Sequence, residues 1–350
     1  MILYVAAVVL LGQQGLKLRL RSFNRDYLSK DGTDAVRGIF ILLIFAAHFN
    51  GYVDLTAAPM DAAYHRIWTA MGQMVVTCPL FYSGYGVALS AATKGDSYVR
   101  AMPGKRILPT LLIYDLSALL YLLLQLWRGK SYDLKQFVLT MFAWSSFGNS
   151  NWYLFAILGC YLISWLALRG KKLNGVTVSR ITLGVMAFLL AMRCAGRDPW
   201  WYNTLLCYPM GMYFFLYKDK IDQVMAKNRY YWPILLVTMA GCRAAHKFWV
   251  PSSGPVYMLT MLLFTLCVVF ATMKVELCSP VLKYCGRHLQ GLYLIHRIPF
   301  IFLGDYLPWR TGPGIYVYFV LSLVGIFVLE FLFSKTSDYL RTATPVVADK

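Results

Sequence analysis

The sequence predicts an all-α, polytopic membrane protein, and three observations carry that prediction. Apolar residues make up 59% of the 350-residue chain, and its mean hydropathy is +0.53. Charged residues make up only 14%, against roughly 25% in an average soluble domain. The apolar residues also come in continuous runs, not in the apolar/polar alternation of a lipid-facing strand, which excludes a porin-like barrel. A disordered chain, a collagen-like chain and an ordinary soluble enzyme are excluded by the same composition. Eight cysteines in 350 residues are too sparse for a disulfide scaffold.

Runs bounded by charged or Gly/Pro-rich segments mark the spans in order. Ile2–Leu16 comes first; it lacks the basic start and the cleavage site of a signal peptide, so it reads as a helix. Val36–Val53, Trp68–Ala92 and Ile107–Trp127 follow, then Trp152–Leu168 and Ile181–Gly196. Thr204–Tyr217 is short, and neighbouring polar residues must complete it. Tyr231–His246, Val256–Met273, His288–Gly304 and Gly314–Phe333 bring the expectation to eleven. Phe137–Phe147 is apolar but too short to cross, and reads as an interfacial or re-entrant piece.

The formal net charge is +18, and where the charges sit decides what they mean. With eleven spans, alternate loops on one side collect most of the lysines and arginines. Those loops hold Lys17 to Arg37, Lys94 to Arg106, Arg169 to Arg180, Lys218 to Arg229, Lys274 to Arg287, and the tail from Lys335. The positive-inside rule makes that side cytoplasmic, with the N-terminus outside and the C-terminus inside. Topology thus accounts for the charge, and no nucleic-acid partner is expected; the basic loops face membrane lipid.

Ionisable side chains inside a bilayer are costly and mark function by default. His48 stands in the second span, eleven residues after Arg37, which is about 16 Å along a helix. A neutral imidazole at that depth suits a general base toward a hydroxyl; the alternative is a packed histidine bonded to a carbonyl. His296 and Arg297 lie at a comparable depth in a late span and line up with the same cavity. Asp115 and Glu330 are the acidic residues within spans, and either is a partner for a histidine or a cation. Ser83 and Gly84 offer either close helix packing or room for a ligand. Trp152 and Tyr153 suit an interfacial aromatic belt or a sugar-stacking surface. The cysteines show no metal-ligand spacing, so no metal and no structural disulfide are expected.

The stretch RGIFILLIFAAH, from Arg37 to His48, resembles the signature of the acyltransferase-3 family of integral membrane acyltransferases. Four further pieces fall in that family's order: LFYSGY (Leu80–Tyr85), KRILP (Lys105–Pro109), NWYL (Asn151–Leu154) and GLYLIH (Gly291–His296). One departure is Pro103, where the family often has an arginine three residues before Arg106. The resemblance implies a ten-helix membrane acyltransferase core over residues 34–333. One extra N-terminal transmembrane helix with a basic loop occupies residues 1–33, and a short cytoplasmic tail residues 334–350.

The resemblance further implies an O-acetyltransferase in a bacterial cytoplasmic membrane. Acetyl-CoA is the expected acyl donor and a carbohydrate or lipid-linked glycan the expected acceptor. His48 is then the catalytic residue. Arg37, Arg100, Lys105 and Arg106 form a basic cytoplasmic mouth suited to the phosphates of CoA. Ser83, Tyr85, Trp152, Tyr153, Tyr293 and His296 are expected to line the substrate pocket. The competing reading is a proton-coupled or glycan-related transporter with His48, Arg297 and Glu330 along one pathway. A membrane sensor that keeps the fold without the chemistry is a third.

Overall fold

The computed structural model describes residues 1–55, 59–248, 254–308 and 311–343. Its helices are, in order, α1 (Ile2–Gln13), α2 (Lys30–Phe49), α3 (Pro59–Met71), α4 (Met74–Met102), α5 (Leu108–Trp127), α6 (Leu134–Met141), α7 (Trp152–Leu168) and α8 (Gly175–Cys194). Then come α9 (Cys207–Met225), α10 (Asn228–Lys247), α11 (Pro255–Thr272), α12 (Pro280–Arg287), α13 (Leu289–Ile295), α14 (Arg297–Tyr306) and α15 (Gly314–Ala343). The fold is all-α and that of a membrane protein. Among the described residues, five helical stretches are long and apolar enough to cross a membrane: Lys30–Tyr52, Ala62–Trp127, Gly175–Cys194, Pro255–Thr272 and Gly314–Leu340. Ile2–Gln13 and Trp152–Leu168 are shorter apolar helices.

Helix starts follow local chemistry. The Ser29 hydroxyl accepts from the Gly32 amide and caps α2, and Asp133 caps α6 through the Gln136 amide at 2.6 Å. Asn174 and Thr177 form a reciprocal capping box at α8. Proline stands at the first position of α11 and α12, where a missing N–H costs nothing.

Two predicted spans are interrupted. Trp68–Ala92 is split between α3 and α4 at Gly72, whose φ of +46° only glycine adopts cheaply. His288–Gly304 is divided among α13, α14 and the residues that flank them. Pro299 cannot donate to the carbonyl four residues back, which favours a break near His296. At Thr204–Tyr217 the helix α9 starts at Cys207 and runs on through polar residues to Met225; it is not among the five stretches apolar enough to cross. The last helix continues past Phe333 to Ala343, and the end of the tail, residues 344–350, lies outside the described residues.

Backbone contact ties the helices around the site. A Cβ on Gly38 of α2 would lie 2.0 Å from the Leu282 carbonyl oxygen, and one on Gly286 of α12 1.8 Å from that of Asp34. The same reciprocity joins α4 to α9: a Cβ on Gly84 would lie 1.9 Å from the Tyr208 carbonyl oxygen and one on Gly211 2.1 Å from that of Phe81. Small residues let these backbones touch.

One end of the bundle gathers basic residues. There Lys283 pairs with Asp31 at 3.1 Å, and Lys218 pairs with Asp222, which also accepts from the Tyr27 hydroxyl at 2.7 Å. A two-residue ladder, Lys17–Leu18 against Val275–Glu276, fastens the segment after α1 to the same end. Arg19 reinforces it by donating to Glu276 at 2.6 Å, and this contact holds the Glu276 carboxyl below the usual range. His48 lies at the opposite end, in the last turn of α2.

Candidate active site

The break between α13 and α14 places His296 against His48. Nδ1 of His48 and Nε2 of His296 are 2.6 Å apart, and the rings lie nearly coplanar at 21°. His296 is fully buried and its own Nδ1 is 2.7 Å from the Tyr293 carbonyl oxygen. Phe45 stacks on its ring at 5.6 Å.

These distances assign the protons. A carbonyl oxygen only accepts, so Nδ1 of His296 carries a hydrogen. Nε2 of neutral His296 is then a lone pair, and His48 must donate to it from Nδ1. The relay leaves Nε2 of His48 with its lone pair free. That is the nitrogen a general base needs.

His48 lines a cavity of about 430 Å³. Three tryptophans, Trp68, Trp152 and Trp200, share its wall with Tyr293 and Arg297. Gln73, Asn149, Ser150 and Asn151 supply the polar part of the lining. Those side chains are held in place: Gln73 donates to the Trp200 carbonyl at 2.8 Å, Asn149 to the Tyr114 hydroxyl at 3.0 Å, and Asn151 to the Ala143 carbonyl at 2.8 Å. The hydroxyls of Ser150 and Tyr293 are buried there and have no hydrogen-bond partner among the described residues.

A smaller cavity, about 120 Å³, lies further in and is lined by Ser83, Tyr153, Tyr161 and again Tyr293. Tyr293 is therefore common to both. Tyr161 is the ring beneath Arg106, whose guanidinium carbon is 4.7 Å from its centroid. Arg106 also donates to the Tyr98 hydroxyl at 2.6 Å, from a π-helical turn over Pro103–Ile107. Arg106, Tyr161, Tyr293 and His48 thus follow one another from the basic side to the tryptophan-lined cavity.

Most of the residues expected in the site are brought together. Ser83, Tyr153 and Tyr293 meet in the inner cavity, and Trp152 and Tyr293 in the outer one beside His48. Arg37 pairs with Asp34 at 3.0 Å and lies over the Tyr82 ring at 5.6 Å. Arg100 and Lys105 are exposed, and Arg100 pairs with Asp96 at 2.9 Å. Tyr85 lines neither cavity; it packs edge-on against Phe215 of α9.

Glu330 also stands apart from His48. It accepts from the Tyr284 hydroxyl at 3.0 Å and pairs with His288 at 2.7 Å. A pathway running through His48, Arg297 and Glu330 therefore has its carboxylate engaged elsewhere. Asp115 lines neither cavity.

The residues that sequence reasoning missed sit in connections or, for Trp68, in the last turn of α3. Trp68 and Gln73 flank the α3–α4 break, Trp200 precedes α9, and Asn149 and Ser150 precede α7. The polar run Asn149–Asn151, directly before an apolar helix, is the one signal that pointed to them.

A histidine pair beside a tryptophan-lined cavity, inside a helical membrane bundle with an arginine toward its basic end, is the candidate site of this membrane protein. The acyltransferase-3 family model, described as an acyltransferase domain, matches residues 30–331. The chain belongs to that family and is a membrane acyltransferase. No curated protein and no solved structure matches it significantly.

Proposed function

We propose that this chain transfers an acetyl group from acetyl-CoA to a hydroxyl of a cell-surface or lipid-linked carbohydrate. The observation that carries the reading is the His48–His296–Tyr293 relay, which presents a bare imidazole nitrogen in a cavity walled by three tryptophans. Flat aromatic faces beside amide and hydroxyl groups suit a sugar ring.

His48 takes the hydroxyl proton on Nε2 as the acceptor oxygen bonds to the thioester carbonyl carbon. The C–S bond breaks, and His48 returns the proton to the departing CoA sulfur. The products are an ester and free CoA. His296 holds the tautomer throughout by accepting from Nδ1 of His48. The position of His48 in the last turn of α2 helps the transient imidazolium, because a helix C-terminus favours positive charge by roughly 0.3–1 kcal/mol. Arg106 and Arg37 are the cations we assign to the CoA phosphates.

The test is thiol release from acetyl-CoA by purified protein in nanodiscs, with a panel of sugars as acceptors. A charged hydrogen bond contributes about 1.5–3 kcal/mol. Arg106→Ala is therefore expected to raise the KM for acetyl-CoA by roughly ten- to a hundredfold, and Arg37→Ala to act in the same direction. Wild-type KM in both variants would remove the donor site from this end of the bundle.

A further inference from the structure

Arg297 begins α14 directly after His296, and its guanidinium lines the cavity that holds His48. The other arginines near the core are tied down: Arg37 to Asp34, Arg128 to Asp305 at 2.6 Å, Arg19 to Glu276, and Arg106 to the Tyr98 hydroxyl. Among the described residues Arg297 has one side-chain hydrogen bond, a long one of 3.4 Å from Nη1 to the Gly148 carbonyl. Its Nε is buried and has no hydrogen-bond partner. Among the described residues no carboxylate pairs with it, and no Asp or Glu lines the cavity.

A guanidinium left this way is costly, because a partly buried cation with a buried, unpartnered N–H loses hydration that no counter-charge replaces. It also works against the reaction proposed above, since a fixed positive charge beside His48 opposes the imidazolium that forms there. A bound anion would relieve both costs at once.

We propose that Arg297 recognises a fixed negative charge, a carboxylate or a phosphate ester, carried by the acceptor. The inference rests on the reading of this cavity as the acceptor site. An anion on Arg297 completes the unfilled donors of the guanidinium, which match the two oxygens of a carboxylate or phosphate. It also places the acceptor's hydroxyls between the tryptophans and His48. The substrate class narrows from sugars in general to acidic sugars or sugars bearing phosphate.

The experiment is titration of the purified protein in nanodiscs with D-glucuronate, D-glucose 6-phosphate and D-glucose at constant ionic strength, followed by tryptophan fluorescence. At least one anionic sugar is expected to bind tenfold or more tightly than D-glucose, and which one identifies the charged group. Arg297→Gln is expected to abolish the preference. Arg297→Lys is expected to keep it in weaker form, which separates lost recognition from lost folding. Equal binding of all three sugars, binding of none, or a preference unchanged in Arg297→Gln overturns the proposal. A guanidinium acting only on the transient oxyanion gives the first of these results, together with a lower kcat in the variant. Acetyl-CoA turnover is read in parallel: its absence alongside a clear anion preference sinks the proposed reaction and leaves the anion site standing. Turnover without the preference does the reverse.

Discussion

At the scale of single residues, the proposed chemistry rests on the histidine pair and its one shared proton. His48 spends its Nδ1 hydrogen on His296 and therefore keeps a lone pair on Nε2. In the proposed reaction that nitrogen is the base, and His296 fixes the tautomer without touching the reacting atoms. His48→Ala is expected to lower turnover by about 10²–10⁴-fold, the usual contribution of a positioned base, with expression unchanged. His296→Ala is expected to cost less, and His296→Gln less again, because its amide oxygen still accepts from Nδ1 of His48. Turnover assays on the three variants check this order. If His48→Ala kept more than a tenth of the activity while His296→Ala lost nearly all, the base would be His296. Sequence alone placed both histidines at one depth. It offered no means of seeing the hydrogen bond between them, which depends on the break before Arg297 and on Phe45 behind the ring.

At the scale of elements, two glycine-to-carbonyl contacts hold the site's helices at backbone distance. Gly84 belongs to the LFYSGY stretch, and its neighbour Ser83 reaches the inner cavity because α4 lies so close to α9. A methyl group at Gly84 would meet the Tyr208 carbonyl carbon at 2.8 Å and its oxygen at 1.9 Å, so the two helices must move apart. Overpacking of this kind costs about 1–3 kcal/mol and occasionally more. Gly84→Ala is expected to lower the thermal unfolding midpoint in detergent, whereas Gly86→Ala, which would meet nothing within 4 Å, is expected to leave it unchanged. Equal midpoints would contradict the close approach. The small Ser-Gly step was legible as a packing signal; its partner helix was not, since α9 lies more than a hundred residues away in sequence.

At the scale of the whole molecule, the charge distribution predicts an orientation for the chain. Lys283, Asp31, Lys218 and Asp222 meet at one end of the bundle, and the tryptophan-lined cavity opens toward the other. On the positive-inside rule the basic end faces the cytoplasm. A reporter fused after Lys350 is then expected to read cytoplasmic, and one placed before Met1 to read outside. A cytoplasmic reading at both ends would remove α1 from the set of spans. The cofactor end and the acceptor cavity would in that arrangement lie on opposite sides of the membrane, with His48 between them.

The sequence by itself determined the membrane class, the helical fold and the family, and it singled out His48 as the candidate base. Each of these depends on local composition or on short-range spacing, such as the ten residues between Arg37 and His48. Tertiary structure decided which distant residues share a wall. It joined His48 to His296 across 248 residues, put Tyr293 on the walls of two cavities, drew in Trp68 from α3 and Trp200 from the connection before α9, and turned Tyr85 and Glu330 away. The physical reason is that hydropathy records only whether a residue tolerates lipid. Which side chains meet is set by the breaks at Gly72 and before Pro299 and by the glycine contacts that fix helix spacing, and those act between segments far apart in the chain.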